Sequence, residues 1–270
     1  MASPPSFPTT LHEQVAELAC EFFLPHAQVD TFLVVNSCAR GHATPDSDLD
    51  LGVLVDPAMP AAHRDALLAD WQRFAAIQPA VMNLAETSRF GHVHLDLLDG
   101  QFKPEVWDDG GGPDGFELGI GNAIAYSAPL REPGPYFRQL QQQWLPYYDD
   151  ALRLSRLTMV RSACVYDLSH VPFYVGRGLY FQAFDRLYRA FQEFLQALFI
   201  ARRTYPLAYN KWIRMQVAEW LGLPELYQEL PAILSVQNLE SEQMIEKTIH
   251  LHALLERWAS PGALEIFSPN

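Results

Sequence analysis

Apolar residues in the first hundred positions follow two different spacings. A period of three to four residues predicts an amphipathic helix over 10–24, which ends at Pro25, and a further helix over 60–77. Alternating or continuous apolar runs bounded by turn residues indicate strands. The predicted strands are 31–36, 48–55 and 92–98. This order of helices and strands predicts an α/β arrangement around a small mixed sheet.

The second half of the chain keeps a helical period. A Pro- and Gly-rich stretch at 131–135 is typical of a boundary, and we use it to divide the chain into domains 1–130 and 131–270. The helices predicted in the second domain include 179–200, 211–221 and 242–258. Together the two patterns predict an α+β fold, in which a small mixed β-sheet with helices precedes a C-terminal helical bundle.

The composition is that of a globular protein. Of the 270 residues, 49% are hydrophobic and 19% are charged, which argues against a disordered chain. No apolar run approaches eighteen residues, and the N-terminus lacks a basic region followed by an apolar stretch, so we expect neither a membrane span nor a secretory signal. Three widely spaced cysteines predict no disulfide framework. We therefore expect a cytoplasmic protein.

The net charge of -13 narrows the range of partners. Proteins that bind DNA or RNA present basic surfaces, because neutralising phosphates supplies most of their affinity. An acidic chain is therefore a poor candidate for binding nucleic acid, although it favours cationic small molecules. We expect a small-molecule acceptor as the partner, and the sequence leaves the oligomeric state open.

One segment carries most of the chemistry, the stretch from Asn36 to Val53. It contains a hydroxyl residue after an apolar strand, then a loop with Gly and Pro, then a Ser-Asp-x-Asp sequence that enters the next strand. Because strand side chains alternate faces, Asp48 and Asp50 point the same way, about 7 Å apart, while Leu49 and Leu51 point into the core. Paired carboxylates on one face suit a hard divalent cation such as magnesium, which also takes phosphate ligands.

The segment resembles the signature of the polymerase-β-like nucleotidyltransferase superfamily. Ser37, Arg40-Gly41 and the Asp48-x-Asp50 pair match the family pattern of Gly-Ser, a loop with Arg-Gly, and Ser-Asp-x-Asp, most closely in small bacterial enzymes that modify antibiotics. The resemblance implies a nucleotidyltransferase fold over the first domain, with Asp48 and Asp50 as magnesium ligands. Asn36 stands where the family usually has Gly, and Asn tolerates unusual backbone angles better than most residues.

A third carboxylate is expected on a neighbouring strand. Asp96 lies in the predicted strand 92–98, on the face opposite Val93 and Leu95. The resemblance assigns it to the metal site and to accepting the proton of the acceptor hydroxyl. An ordinary surface Asp on an edge strand is the alternative, and Glu105 is a second candidate base.

Several residues could bind the triphosphate. Ser37 is expected to contact the β- and γ-phosphates together with the backbone N–H groups of Ser37 and Cys38. Arg40 could reach the triphosphate or anchor the loop to an acidic neighbour. The resemblance points to a Lys of the helical domain, for which Lys211 is the candidate, and a surface Lys is the alternative.

The sequence thus predicts an adenylyltransferase that moves AMP from magnesium-ATP to a hydroxyl of a small acceptor, with an antibiotic as one possible acceptor. One alternative is a toxin–antitoxin-type transferase acting on tRNA or a protein. Another is a non-catalytic nucleotide-binding protein. His92, His94 and Asp96 also form a His-x-His-x-Asp run that a zinc hydrolase could use, but no second His/Asp cluster accompanies it.

Overall fold

A computed structural model describes residues 4–105 and 110–260 of the chain. The described residues form two compact units. The first consists of 4–103 and 119–145, and the second of 104–105, 110–118 and 146–260. The chain therefore changes unit three times, whereas the sequence pattern suggests a single change after residue 130.

The first unit combines a sheet with helices. Its elements in chain order are α1 (Thr10–Phe23), β1 (Val29–Val34), α2 (Asn36–Ala39), β2 (Leu49–Val55), α3 (Ala61–Ala75), α4 (Pro79–Thr87), β3 (Val93–Leu98), α5 (Phe116–Ile120, which begins in the second unit), a π-helical turn (Gly121–Ala125), β4 (Ala128–Pro129) and α6 (Pro135–Trp144). The single helix predicted over 60–77 is followed by a separate helix, α4, which has Pro79 at its first position.

The sheet has four strands in the order β3-β2-β1-β4. Strand β1 pairs antiparallel with β2 and β4, and β2 pairs parallel with β3, so the sheet is mixed. Phe32, Val34, Leu51 and Val53 lie on one face and are at most 1% exposed, in a core that also contains Val15 of α1 and Trp71 of α3. Burial of this face holds the register of β1 and β2, because a slip of one residue would turn all of these side chains to the other face.

Helix α6 belongs to the sheet unit because of contacts with β1. The Asp30 carboxylate accepts hydrogen bonds from the backbone N–H groups of Tyr136 and Phe137, both at 3.0 Å. The Thr31 hydroxyl accepts another from the N–H of Gly134 at 2.9 Å. The N–H groups at the start of a helix have no acceptor within the helix. Here two side chains of β1 supply the acceptors that a local capping residue would otherwise provide. Residues 131–145 are therefore packed with β1.

The second unit is helical. Its further elements are α7 (Asp150–Val175), α8 (Tyr180–Ala201), a π-helical segment (Met215–Trp220), α9 (Pro224–Leu234) and α10 (Gln243–Trp258). The core lies mainly between α7, α8 and α10, and Leu187, Phe194 and Leu251 in it are fully buried. In the described part of the chain, no helix has the length and apolar character that crossing a membrane requires.

At the level of fold class the α+β prediction is confirmed. A small mixed sheet and many helices are present, and β1, β2 and β3 match the predicted runs within a few residues, whereas β4 was not predicted. The first predicted strand was expected to extend to residue 36, but it ends at Val34 and Asn36 opens a helical turn. The segment 211–221 is π-helical only from Met215, and Lys211 and Trp212 precede the helix as an irregular turn.

Candidate functional site

Polar side chains gather on the face of β2 and β3 opposite the core. The parallel register pairs Asp50 with His94 and Gly52 with Asp96. Because paired residues of neighbouring strands point to the same face, Asp50, His94 and Asp96 share one face with Asp48. Leu49, Leu51 and Leu95 between them are 0%, 1% and 9% exposed. The predicted alternation of acidic and core side chains on both strands is therefore confirmed.

These side chains line a cavity of about 550 Å³. Its wall consists of Asp48, Asp50, Val93, His94, Leu95 and Asp96 from the sheet and Leu68, Trp71 and Gln72 from α3. Residues from both faces of β3 contribute, and β3 is the edge strand, so the cavity follows the outer edge of the sheet. A ligand there would meet carboxylates on one side and an indole ring on the other.

The cavity is electrostatically negative. Burial raises the pKa of Asp50 above its usual value, and the charges of Asp48 and Asp96 raise it further. A hydrogen bond with the Asn36 side chain and the nearby His94 act in the opposite direction. The His94 Nε2 atom lies 3.7 Å from Oδ2 of Asp48. A cation would relieve the repulsion among the carboxylates, so the arrangement favours one.

Asn36 takes a backbone conformation that glycine adopts most readily. Its φ is 54°, in the left-handed region, where Asn is one of the few residues with a side chain that is found regularly. The amide side chain also bonds the Asp50 carboxylate. Asn36 therefore keeps the turn that glycine would permit and adds a contact to a candidate metal ligand. The sequence indicated the first property but not the second.

Arg40 is half-buried beside the same carboxylates. Its Nε and Nη1 atoms are inaccessible and have no hydrogen-bond partner within residues 4–105 and 110–260. Burial lowers the pKa of Arg40, and the nearby Asp50 carboxylate opposes that shift. A guanidinium remains charged in proteins and matches phosphate oxygens in geometry. Its charge suits either the neighbouring Asp50 carboxylate or an anionic ligand held beside it.

The rest of the motif forms a closed turn. The Ser37 carbonyl accepts backbone hydrogen bonds from Arg40 at 3.3 Å and from His42 at 3.0 Å. Burial raises the pKa of the Cys38 thiol to about 11, so the thiol stays neutral and is not a nucleophile. The backbone carbonyl of Cys38 accepts a hydrogen bond of 2.9 Å from the Ser6 N–H. Ser37 and Cys38 therefore act, if they bind phosphate, through the hydroxyl and the backbone amides.

The two other candidates lie in the second unit. Lys211 is exposed, and its carbonyl accepts a hydrogen bond from Gln216. It lies in a bend two residues before the helical segment that begins at residue 213 and becomes π-helical at Met215. Glu105 follows β3, and its N–H donates to Asp114. The first unit thus contains Ser37, Cys38, Arg40, Asp48, Asp50 and Asp96, but not Lys211 or Glu105.

Within the described residues, no three or more His, Cys, Asp and Glu side chains have a geometry that could hold a metal ion. The donor chemistry nevertheless fits magnesium, which is commonly bound by one or two carboxylates together with substrate phosphates and water. Asp48 and Asp50 supply those two carboxylates. The imidazoles of His92 and His94 have their ring centres 6.3 Å apart and are both exposed. They do not form a zinc site with Asp96 in this arrangement.

Sequence reasoning missed the residues that support the motif. His94 lies beside Asp48, and His12 of α1 reaches the carbonyl of Ser47, two contacts that depend on strand pairing and helix packing. The histidines at alternate strand positions were a visible signal for the first, and nothing in the local sequence indicated the second.

A comparison with models of known protein families found no match, and neither did a comparison with curated proteins.

Proposed function

We propose that the protein is a metal-dependent nucleotidyltransferase that moves AMP from magnesium-ATP to a hydroxyl group of a small acceptor. The observation that carries the proposal is the pairing of opposite charges at one place. Asp48, Asp50 and Asp96 share one face of the sheet, and Arg40, with buried unpartnered donors, lies beside Asp50. Enzymes of phosphoryl and nucleotidyl transfer usually combine carboxylates that bind a metal ion with a nearby basic side chain that binds phosphate.

The three carboxylates take different roles in this proposal. Asp48 and Asp50 would hold magnesium, whose chemistry when bound is to neutralise the charge on the phosphates. Asp96 is exposed at the cavity, and so it is the carboxylate an acceptor hydroxyl can approach. Asp96 accepts the hydroxyl proton while the acceptor oxygen forms a bond to the α-phosphorus. The bond from that phosphorus to the bridging oxygen breaks, and pyrophosphate leaves with the bonding electron pair.

Arg40 is assigned to the triphosphate. Its position beside Asp50 also fits the alternative of anchoring the loop, but the described part of the chain offers its Nε and Nη1 no acceptor. The Ser37 hydroxyl and the amides of Ser37 and Cys38 are assigned to the same phosphates. The role of Lys211 stays a prediction, in which Lys211→Ala raises the KM for ATP.

The experiment is an assay of pyrophosphate release from ATP with magnesium and a panel of aminoglycoside and lincosamide acceptors. We expect turnover with at least one acceptor, and a loss of at least about 100-fold in kcat in Asp48→Asn and Asp50→Asn, because removing a group that stabilises transition-state charge costs about that factor. Asp65→Asn is the control, since Asp65 is an exposed carboxylate on α3 in the same unit and does not line the cavity.

Three other results would contradict parts of the proposal. Turnover that persists in Asp48→Asn and Asp50→Asn would exclude the carboxylate site. Binding of ATP, measured by calorimetry, without turnover of any acceptor would favour the non-catalytic nucleotide-binding protein. Turnover that requires tRNA or a protein acceptor would favour the toxin–antitoxin type of transferase.

A further inference from the structure

His12 connects the first helix to the backbone immediately before Asp48. It lies in the first turn of α1, is 1% exposed, and uses both ring nitrogens. Its Nε2 atom is 3.0 Å from the carbonyl oxygen of Ser47, and its Nδ1 atom is 2.7 Å from the hydroxyl oxygen of Thr9. A buried ring with two short polar contacts has a defined orientation.

The partners determine where the imidazole proton is. A carbonyl oxygen only accepts hydrogen bonds, so Nε2 carries the proton and donates it to Ser47. When the ring is neutral, Nδ1 is the acceptor and the Thr9 hydroxyl donates to it. Thr9 is also the N-cap of α1, where its side-chain oxygen accepts from the His12 N–H at 3.3 Å. Thr9 thus caps the start of the helix and contacts the second ring nitrogen of the same histidine.

The Ser47 carbonyl is a fixed point in an otherwise exposed loop. The hydroxyl of Ser88 donates to it as well, at 3.3 Å. Residues 44–47 form a turn in which the Ser47 N–H donates to the Thr44 carbonyl at 2.9 Å. After this turn the chain enters β2, and the Leu49 N–H donates to the His92 carbonyl at 3.0 Å. Asp48 lies between the carbonyl held by His12 and the first bond of the strand.

The other end of the motif loop is held by the same region of the chain. Ser6, shortly before α1, donates its N–H to the Cys38 carbonyl at 2.9 Å. Helix α1 itself is anchored in the core of the sheet unit through Val15 and other buried residues. The start of the chain therefore holds the loop both after Ser37 and before Asp48.

We infer that His12 is a positioning residue for the candidate metal site. It acts through the Ser47 carbonyl and limits the movement of the backbone that carries Asp48, so that the Asp48 carboxylate stays on the same face as Asp50. The inference rests on the proposed function for its catalytic meaning, while the contact to Ser47 stands independently. Replacing a residue that does not bind the metal but orients one of its ligands typically weakens metal affinity about 10- to 100-fold.

The test compares three variants of the full-length protein. His12→Phe keeps the planar ring and removes both polar contacts, and His12→Gln keeps an amide N–H that can donate to Ser47. Val15→Ala is the matched control, because it removes buried volume from the same helix and leaves both polar contacts of His12 in place. Thermal unfolding measures how far each variant loses stability in general.

Two readouts distinguish positioning from stability. In hydrogen exchange of the segment 44–50, we expect His12→Phe to exchange about fivefold faster than wild type, the factor of one ordinary hydrogen bond, and Val15→Ala to match wild type. In magnesium-ATP binding or turnover, we expect the half-saturating magnesium concentration to rise about tenfold in His12→Phe. It should return most of the way in His12→Gln and stay unchanged in Val15→Ala.

The outcomes separate this inference from the proposed function. Equal changes in His12→Phe and Val15→Ala, in exchange or in magnesium dependence, would overturn the positioning role and leave the proposed function intact. A wild-type protein that does not bind magnesium-ATP would overturn the proposed function and the catalytic meaning of His12 together. Faster exchange confined to 44–50 in His12→Phe would still support the structural contact in that case.

Discussion

Individual residues determine how the motif loop is built. Asn36 combines a left-handed backbone with a side-chain bond to Asp50, and His12 holds the carbonyl before Asp48. The residue types are consistent with these tasks, since Asn tolerates positive φ and a neutral imidazole can donate and accept at once. The motif alone indicated the carboxylates, and these two supporting residues lie outside its acidic pair.

Replacement of Asn36 separates its two tasks. We expect Asn36→Ala to lower the free energy of unfolding by about 2 kcal/mol, because alanine is strained at positive φ and cannot bond Asp50. Asn36→Gly should cost about 1 kcal/mol or less, since glycine accepts the backbone and loses only the side-chain bond. Urea unfolding measures both values.

Both Asn36 variants should raise the pKa of Asp50, because both remove a hydrogen bond that lowers it. Carboxyl NMR titration of the two proteins checks this expectation. Equal stability losses for alanine and glycine would show that the backbone conformation at residue 36 does not matter.

At the scale of elements, the sheet unit depends on a bond set between distant segments. Asp30 at the start of β1 accepts from two N–H groups at the start of α6, more than 100 residues later in the chain. The negative charge of the carboxylate also interacts favourably with the positive end of the helix dipole. This contact decides that α6 packs with the sheet, which the Pro- and Gly-rich stretch at 131–135 does not reveal.

We expect Asp30→Ala to destabilise the protein by about 1–2 kcal/mol, the usual cost of losing a helix N-terminal cap. The matched control is Asp56→Ala, because among residues 4–105 and 110–260 the Asp56 carboxylate bonds only a neighbouring N–H, that of Ala58, in an exposed turn. Its cost should stay within about 0.5 kcal/mol. Urea unfolding provides the comparison, and similar losses in both variants would argue against a special role for Asp30.

At the scale of the whole molecule, each compact unit has its own stabilising core, and the second contains a buried ion network. Arg156, at 3% exposure, contacts Asp114 and Glu117, which are 9% and 0% exposed at their side chains. Gln196 donates to both carboxylates, and the Tyr148 hydroxyl donates to Glu117 at 2.8 Å. Because these charged groups are buried, each needs the opposite charge beside it, and removing one of them would lower the free energy of unfolding.

The stability of the second unit should depend on acid pH through Asp114. Burial by itself would raise the pKa of Asp114, but the hydrogen bonds and charge of Arg156, with the Gln196 bond, hold it below 3.8. The unfolded chain therefore binds a proton at higher pH than the folded one. The stabilisation from ionised Asp114 is fully present above the unfolded pKa and is lost as pH falls through the lower folded pKa.

Asp114→Asn should lose about 1.5–3 kcal/mol of unfolding free energy at pH 7, the range for hydrogen bonds to charged groups. It should also have a shallower loss of stability below about pH 4 than wild type, because the titrating group is gone. Urea unfolding followed by the near-ultraviolet signal of the buried tyrosines, from pH 3 to 7, measures both. Parallel pH profiles would contradict the assignment.

The sequence by itself determined the secondary structure that carries the site. Alternation placed Asp48 and Asp50 opposite Leu49 and Leu51, and Asp96 opposite Leu95, because burying apolar side chains on one face leaves the charged ones on the other. Strand and helix periods are local properties of the chain, so local patterns located most of these elements, although not α4 or β4. The fold class followed from the order of those elements.

Only the tertiary structure decided which distant residues meet. The parallel pairing that brings His94 and Asp96 beside Asp50, the reach of His12 to Ser47 and the attachment of α6 through Asp30 all join segments far apart in the chain. Such contacts arise when whole helices and strands pack together. The local pattern of a strand or helix is compatible with several packing partners, and the burial of apolar surface decides which of them it contacts. The motif therefore indicated the candidate site residues, and the fold supplied the residues that hold them in place.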